Sequence, residues 1–122
     1  CWLCGNEDMH LKNISLIHLE GKIQLSPAYD LLNTTIILPN ANEEMALPMQ
    51  GKKLNFSRDV FFSYFGKERL DLNEKVLSNI ENDIRSAIPE WEQLIRISFL
   101  KDENKDAYND VINKRLSAIG WK

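Results

Sequence analysis

Two runs decide how this chain is read: Gly5-Asn6-Glu7-Asp8-Met9-His10-Leu11-Lys12-Asn13 and Leu25-Ser26-Pro27-Ala28-Tyr29-Asp30-Leu31-Leu32. The first is a polar loop, opened by Gly5, which breaks a short apolar stretch at residues 1–4. Between the two runs, Ile14 to Leu19 suits a short strand, Glu20-Gly21-Lys22 a turn and Ile23-Gln24-Leu25 a second strand. Residues 14–25 therefore read as a β-hairpin that Ser26-Pro27 stops. His18 alternates with apolar neighbours and reads as a partly exposed strand residue.

The spacing matches what phosphoryl transfer from Mg-ATP requires. A carboxylate must orient the attacking hydroxyl and take its proton, and one or two hard oxygen ligands must hold Mg²⁺ on the phosphates. In protein kinases the catalytic Asp precedes a metal-binding Asn by five residues, and a second metal-binding Asp follows a small strand pair. Asp8 and Asn13 have that offset, and Asp30 sits just beyond the hairpin. An Asp and an Asn at this spacing are common by chance, and both residues favour turns. Asp30 is also compatible with capping a helix that starts at Leu31-Leu32. The hairpin and Asp30 together narrow the reading.

Working outward, Ala28 to Leu32 is a short mixed segment, and Thr34 to Leu38 is β-branched and reads as a strand or extended run. Residues 39–53 read as a long surface loop with two prolines. Ser57 can cap a helix carrying Val60, Phe61, Tyr64 and Phe65, which Gly66 can end. Asp71 with Glu74 resembles a capping box. Leu72, Val76, Ile80, Ile84 and Ile88 then recur every four residues, an amphipathic stripe that Pro89 ends or kinks. Trp91, Leu94, Ile95 and Phe99 continue a stripe, and a last helix from about residue 103 carries Tyr108, Val111, Ile112, Leu116 and Ile119. The expected fold is mostly α with a small β-hairpin, an α+β arrangement. Its parts are a catalytic loop, hairpin and metal-binding segment at 1–38, a loop at 39–53 and a helical bundle at 54–122. The tryptophans at 2, 91 and 121 read as packing residues.

A length of 122 residues suits one domain or part of one, and 43% hydrophobic with 27% charged residues is ordinary for a globular piece. A net charge of -3, with no basic run beyond Lys52-Lys53, argues against direct nucleic-acid binding. No apolar run is long enough to span a bilayer, and no signal peptide is visible, so no membrane is expected and the cytoplasm is the expected compartment. Cys1 and Cys4 form a CxxC without the further ligands a zinc site needs, and read as two buried thiols on the last turn of a helix.

Taken together, Gly-Asn-x-Asp-x-His-x-Lys-Asn at residues 5–13 and Leu-x-Pro-Ala-Tyr-Asp-Leu-Leu at 25–32 resemble the HipA-like Ser/Thr protein kinases. Leu47 to Lys53 and the helical tail look like the C-terminal lobe of that family. The resemblance implies a protein-kinase-like fold, ATP and Mg²⁺ as cofactors, Asp8 as the catalytic aspartate, and Asn13 and Asp30 as metal ligands. It places Lys12, His10 and Tyr29 on the nucleotide-binding side. Lys12 can face phosphate or pair with Asp8, and His10 is expected to brace the loop rather than transfer protons.

The family's glycine-rich phosphate loop and ATP lysine have no counterpart here, since the five glycines are isolated. The chain opens in mid-pattern without a Met, which reads as a missing start. The expected partner is therefore an N-terminal lobe, in the same or a separate chain. By resemblance, further partners are a HipB-type DNA-binding antitoxin and a protein substrate such as an aminoacyl-tRNA synthetase, in a toxin–antitoxin setting. The chain alone is expected to turn over little. The alternative is a short or decayed remnant, or half of a split kinase, acting as a binding module.

Overall fold

A computed structural model describes residues 1–38 and 42–121. The architecture is mostly helical with one two-stranded antiparallel hairpin, as the sequence pattern predicts. The hairpin pairs β1 (Leu16–Leu19) with β2 (Lys22–Leu25), in the register Leu16 to Leu25 and Leu19 to Lys22. Glu20 and Gly21 both have positive φ, 49° and 77°, as a two-residue type I′ loop demands. The first strand begins two residues later than Ile14, and the second one residue before Ile23. Leu16, Ile23 and Leu25 remain largely exposed, so the hairpin projects from the body instead of joining its core.

The helical part differs from the sequence reading in four places. The segment after Ser57 winds as a π-helix over Val60–Arg69, with Leu70 N–H donating to the Phe65 carbonyl five residues back at 3.1 Å. Gly66 lies inside it and does not end it. A Cβ there would sit 2.6 Å from Leu77 Cδ2, so Gly66 is where this helix and the next approach closely. Helix α1 (Glu74–Ile97) is capped by Asn73, whose side chain accepts from Val76 N–H at 3.0 Å, not by Asp71, which adopts φ 53° in the preceding turn. Pro89 neither ends nor divides α1. The helix continues because Ile95 beyond it is buried against Ile112 and Leu116, and this packing outweighs the roughly 3 kcal/mol that an interior proline costs.

Helix α2 (Asp102–Ala118) follows a short bend at 98–100. Thr34 to Leu38 is not a strand. Residues 35–37 form a turn in which Ile37 and Leu38 N–H groups donate to the Thr34 carbonyl at 3.1 and 3.0 Å. Asn33 Oδ1 accepts from Ile36 N–H at 3.2 Å, the local side-chain bond that competes with strand pairing. Residues 39–41 of the expected 39–53 loop lie outside the described residues. In its remainder Ala46 and Met49 are buried, residues 42, 43, 48 and 50–52 are exposed, and Met49 and Lys52 exchange backbone hydrogen bonds of 2.8 and 3.0 Å in a tight turn. Cys1 is exposed and Cys4 half-buried, so neither is the buried thiol expected from the sequence. They flank a single 3-10 turn, Trp2–Cys4.

Two apolar clusters make the core. Trp2, Met49, Phe56, Val60 and Ile119 form one, and Ile95, Ile112 and Leu116 the other, with Leu3 and Trp121 packed against both. No helix among the described residues is long and apolar enough to cross a membrane. Buried between the N-terminal turn and α2, Arg115 forms an ion pair with Glu44 and lies over the Trp2 ring, 5.1 Å from its centroid. Glu44 also accepts from Trp2 Nε1 at 3.0 Å and from Phe56 N–H at 3.3 Å.

Two predictions follow from this packing. Arg115→Met alone strands the Glu44 charge and lowers unfolding stability by about 3–5 kcal/mol, whereas Arg115→Met with Glu44→Leu recovers most of that loss. Urea denaturation of the three proteins measures it; equal losses in the single and double variants would contradict it. Arg58 makes two hydrogen bonds to Glu81, of 2.8 and 2.6 Å. These bonds hold the Glu81 carboxyl below its ordinary 4.5. A depressed carboxylate stabilises the fold above its unfolded pKa and loses that contribution as pH falls through the folded one. Glu81→Gln is therefore expected to destabilise the protein at neutral pH and to flatten the fall in stability below pH 4.5, read from urea midpoints across that range.

Candidate active site

Gly5 starts the polar loop in a left-handed conformation, φ 70°. A Cβ at this position would fall 2.7 Å from Asn33 Oδ1, so both the backbone angle and the space require glycine. The Gly5 carbonyl accepts the Thr34 and Thr35 N–H groups at 3.0 and 3.1 Å, with the Thr35 hydroxyl at 2.9 Å. Glu7 N–H donates to Thr34 Oγ1 at 2.9 Å, and the Thr35 hydroxyl lies 2.6 Å from Glu7 Oε1. These bonds clasp the loop to the segment that follows Asp30.

Inside the clasp, Asn6 is buried and braces two parts of the site. Its Nδ2 donates to the Asp30 carbonyl at 2.8 Å, and its Oδ1 accepts from Asp8 N–H at 3.1 Å. Asn13, on a 3-10 turn at Leu11–Asn13, is also buried and donates through Nδ2 to Asp30 Oδ2. Asp30 adopts φ 57°, a strained angle for a residue with a side chain, and both its carbonyl and its carboxylate are held by these asparagines. Asp8 is exposed and pairs with His10, whose Nε2 lies 3.2 Å from Asp8 Oδ1. His10 N–H also donates to the Asp8 carbonyl at 2.8 Å. Tyr29 is engaged with the backbone, its hydroxyl donating to the Lys12 carbonyl at 3.4 Å. Among the described residues Lys12 forms no ion pair, and Asp8 takes His10 as its partner instead.

The structure thus brings Asn13 and Asp30 into direct contact and ties Asp8 to them through Asn6. Among the described residues no group of three or more His, Cys, Asp and Glu side chains could hold a metal alone. Mg²⁺ asks for less, one or two carboxylates together with waters and substrate phosphates. Asn13 Oδ1 is buried without a hydrogen-bond partner, a hard oxygen left free beside the Asp30 carboxylate. That orphaned oxygen and the carboxylate fit a Mg²⁺ ion shared with phosphate. Sequence reasoning missed the roles of Asn6, Thr34 and Thr35. The only sequence signal for Asn6 was its place in the Gly-Asn-x-Asp run, and Thr34-Thr35 carried the wrong one, β-branching.

Comparison with known proteins adds two findings. The family model for the HipA-like C-terminal domain matches residues 1–92. Over 83 residues the chain is 40% identical to the protein named "Putative kinase Y4dM" of Sinorhizobium fredii (strain NBRC 101917 / NGR234), covering 62% of this chain and 18% of that relative. The chain therefore spans less than a fifth of the length of the curated relative it matches.

Replacing Asn6 by Ala leaves the Asp30 carbonyl and Asp8 N–H without these partners. Each lost hydrogen bond at these part-buried positions costs about 0.5–1.5 kcal/mol. The expected result is a lower urea midpoint and faster amide exchange across residues 5–13 and 28–35; protection unchanged in both stretches would rule out the bracing role.

Proposed function

The chain belongs to the family of HipA-like C-terminal domains, and on that premise we propose that it is the C-terminal lobe of a protein serine/threonine kinase moving the γ-phosphate of Mg-ATP to a protein hydroxyl. The observation that carries this reading is the Asn13–Asp30 contact with its free Asn13 oxygen, joined to Asp8 by Asn6. In the proposed mechanism Asp8, exposed at the loop, accepts a hydrogen bond from the substrate hydroxyl, orients it and takes its proton. Asn13 Oδ1 and the Asp30 carboxylate would hold Mg²⁺, which when bound neutralises phosphate charge and aligns the nucleotide. Lys12, with its ammonium unpaired among the described residues, would meet phosphate, and Tyr29 would act on it indirectly by fixing the Lys12 carbonyl.

Asp8 and Asp30 are both exposed. An open site leaves the reacting groups wet, and much of the electrostatic and positional catalysis depends on excluding water. The reading therefore includes an N-terminal lobe, from the same or a separate chain, that covers the nucleotide. By the family premise the whole protein is proposed to be a toxin neutralised by a HipB-like antitoxin and acting on a protein substrate, an aminoacyl-tRNA synthetase being the class implied.

Calorimetric titration of Mg-ATP tests the half-site in this chain. Heat that requires magnesium, and an affinity at least about tenfold weaker in Asn13→Ala and Asp30→Ala, is the expected outcome. With an N-terminal lobe supplied, Asp8→Asn is expected to lower phosphate transfer by about 10²–10⁴-fold while leaving nucleotide binding in place. Absence of both magnesium-dependent heat and transfer would leave the chain as a binding module.

A further inference from the structure

The kinase reading uses nothing N-terminal to Gly5, yet the turn before it carries two thiols. Cys4 N–H donates to the Cys1 carbonyl at 3.0 Å, closing a 3-10 turn, and Asn6 N–H donates to the same carbonyl at 3.2 Å. The first of these bonds closes a four-residue turn, and the ends of such a turn lie within about 7 Å of each other at Cα. A disulfide spans about 4.4–6.8 Å between Cα atoms. Cys1 is exposed and Cys4 half-buried, so an oxidant has access.

We propose that Cys1 and Cys4 are a redox-reactive dithiol that closes into a disulfide within this turn, a modification site mechanically continuous with the candidate active-site loop. The co-reactant is a small disulfide of the glutathione class. The exposed Cys1 thiolate attacks one of its sulfurs, forming a mixed disulfide and releasing one small thiolate. The Cys4 thiolate then attacks the Cys1 sulfur of that mixed disulfide and releases the second. Two protein thiols are oxidised, one small disulfide is reduced to two thiols, and the two protons pass to the released thiolates. Cys4 is suited to the second step because it is less exposed and already held on the turn by its N–H bond to Cys1.

The consequence follows from the shared carbonyl. Linking the two side chains fixes the turn whose Cys1 carbonyl also holds Asn6 N–H, and Asn6 in turn holds Asp8 and Asp30. The inference does not depend on the kinase reading, since neither thiol belongs to the proposed catalytic set.

The test is to equilibrate the reduced protein with glutathione disulfide and follow intact mass, peptide mapping and backbone amide NMR. The expected product is monomeric, lighter by two hydrogen atoms, with Cys1 linked to Cys4 and no retained glutathione. Cys1→Ser and Cys4→Ser should each stop at a glutathione adduct on the remaining thiol. Amide signals of Asn6 and Asp8 should move on oxidation of the wild type, return on reduction, and not move by that pattern in either variant. A stable adduct on the wild type, disulfide-linked dimers or no reaction would overturn the dithiol. A Cys1–Cys4 linkage that leaves the Asn6 and Asp8 signals in place would overturn its coupling to the site.

Discussion

One carboxylate ties together parts of the chain that are far apart in sequence. Glu44 accepts the Trp2 indole N–H and the Phe56 backbone N–H, and pairs with Arg115 on α2. Trp2 packs against Phe56 and Phe61, with ring centroids at 6.4 and 4.8 Å, and the Arg115 guanidinium lies over its ring. In such a low-dielectric setting each bond is strong, and each partner is costly to leave alone. The Trp2 carbonyl then accepts Gly5 N–H at 3.1 Å, so the candidate site begins where this buried hub ends.

From that anchor the molecule has two mechanical regimes. The helices are held by apolar packing, in clusters centred on Trp2 and Phe56 and on Ile112 and Leu116. The loop, hairpin and Asp30 segment bury little; Leu11, Leu16, Ile23, Leu25, Leu31 and Leu32 are all exposed. Their geometry is set by hydrogen bonds from Asn6, Asn13, Thr34 and Thr35. A segment with few buried apolar contacts opens at lower free energy than the core. Polar side chains therefore supply the order at the site that packing supplies elsewhere.

This division explains what the sequence made legible. The recurrence every four residues from Val76 to Ile88 marked α1, and the alternation around Glu20-Gly21 marked the hairpin, although Val76, Ile80 and the hairpin's Leu16, Ile23 and Leu25 stay exposed. Spacing, read through the family resemblance, singled out Asn13 and Asp30, which the fold brings into contact. The misreadings fall where one polar bond or one close contact decides the outcome. Asn33 turns a β-branched run into a turn, Asn73 takes the cap from Asp71, and Leu77 needs the space that Gly66 leaves. None of these has a period. Of the two outcomes the sequence offered at Pro89, the helix does not end there, because Ile95 beyond it is buried.

The strained Asp30 explains why the residues around it are amides. A left-handed conformation costs a residue with a Cβ roughly 1–2 kcal/mol, and it persists only if neighbours over-determine it. Asn6 must donate to the Asp30 carbonyl and accept from Asp8 N–H at once, which a primary amide can do and an ionised carboxylate cannot. Asn13 must donate to the Asp30 carboxylate while presenting a free oxygen, the same pair of properties. Neutral amides thus fix Asp30 in place while leaving the Asn13 Oδ1 atom without a hydrogen-bond partner.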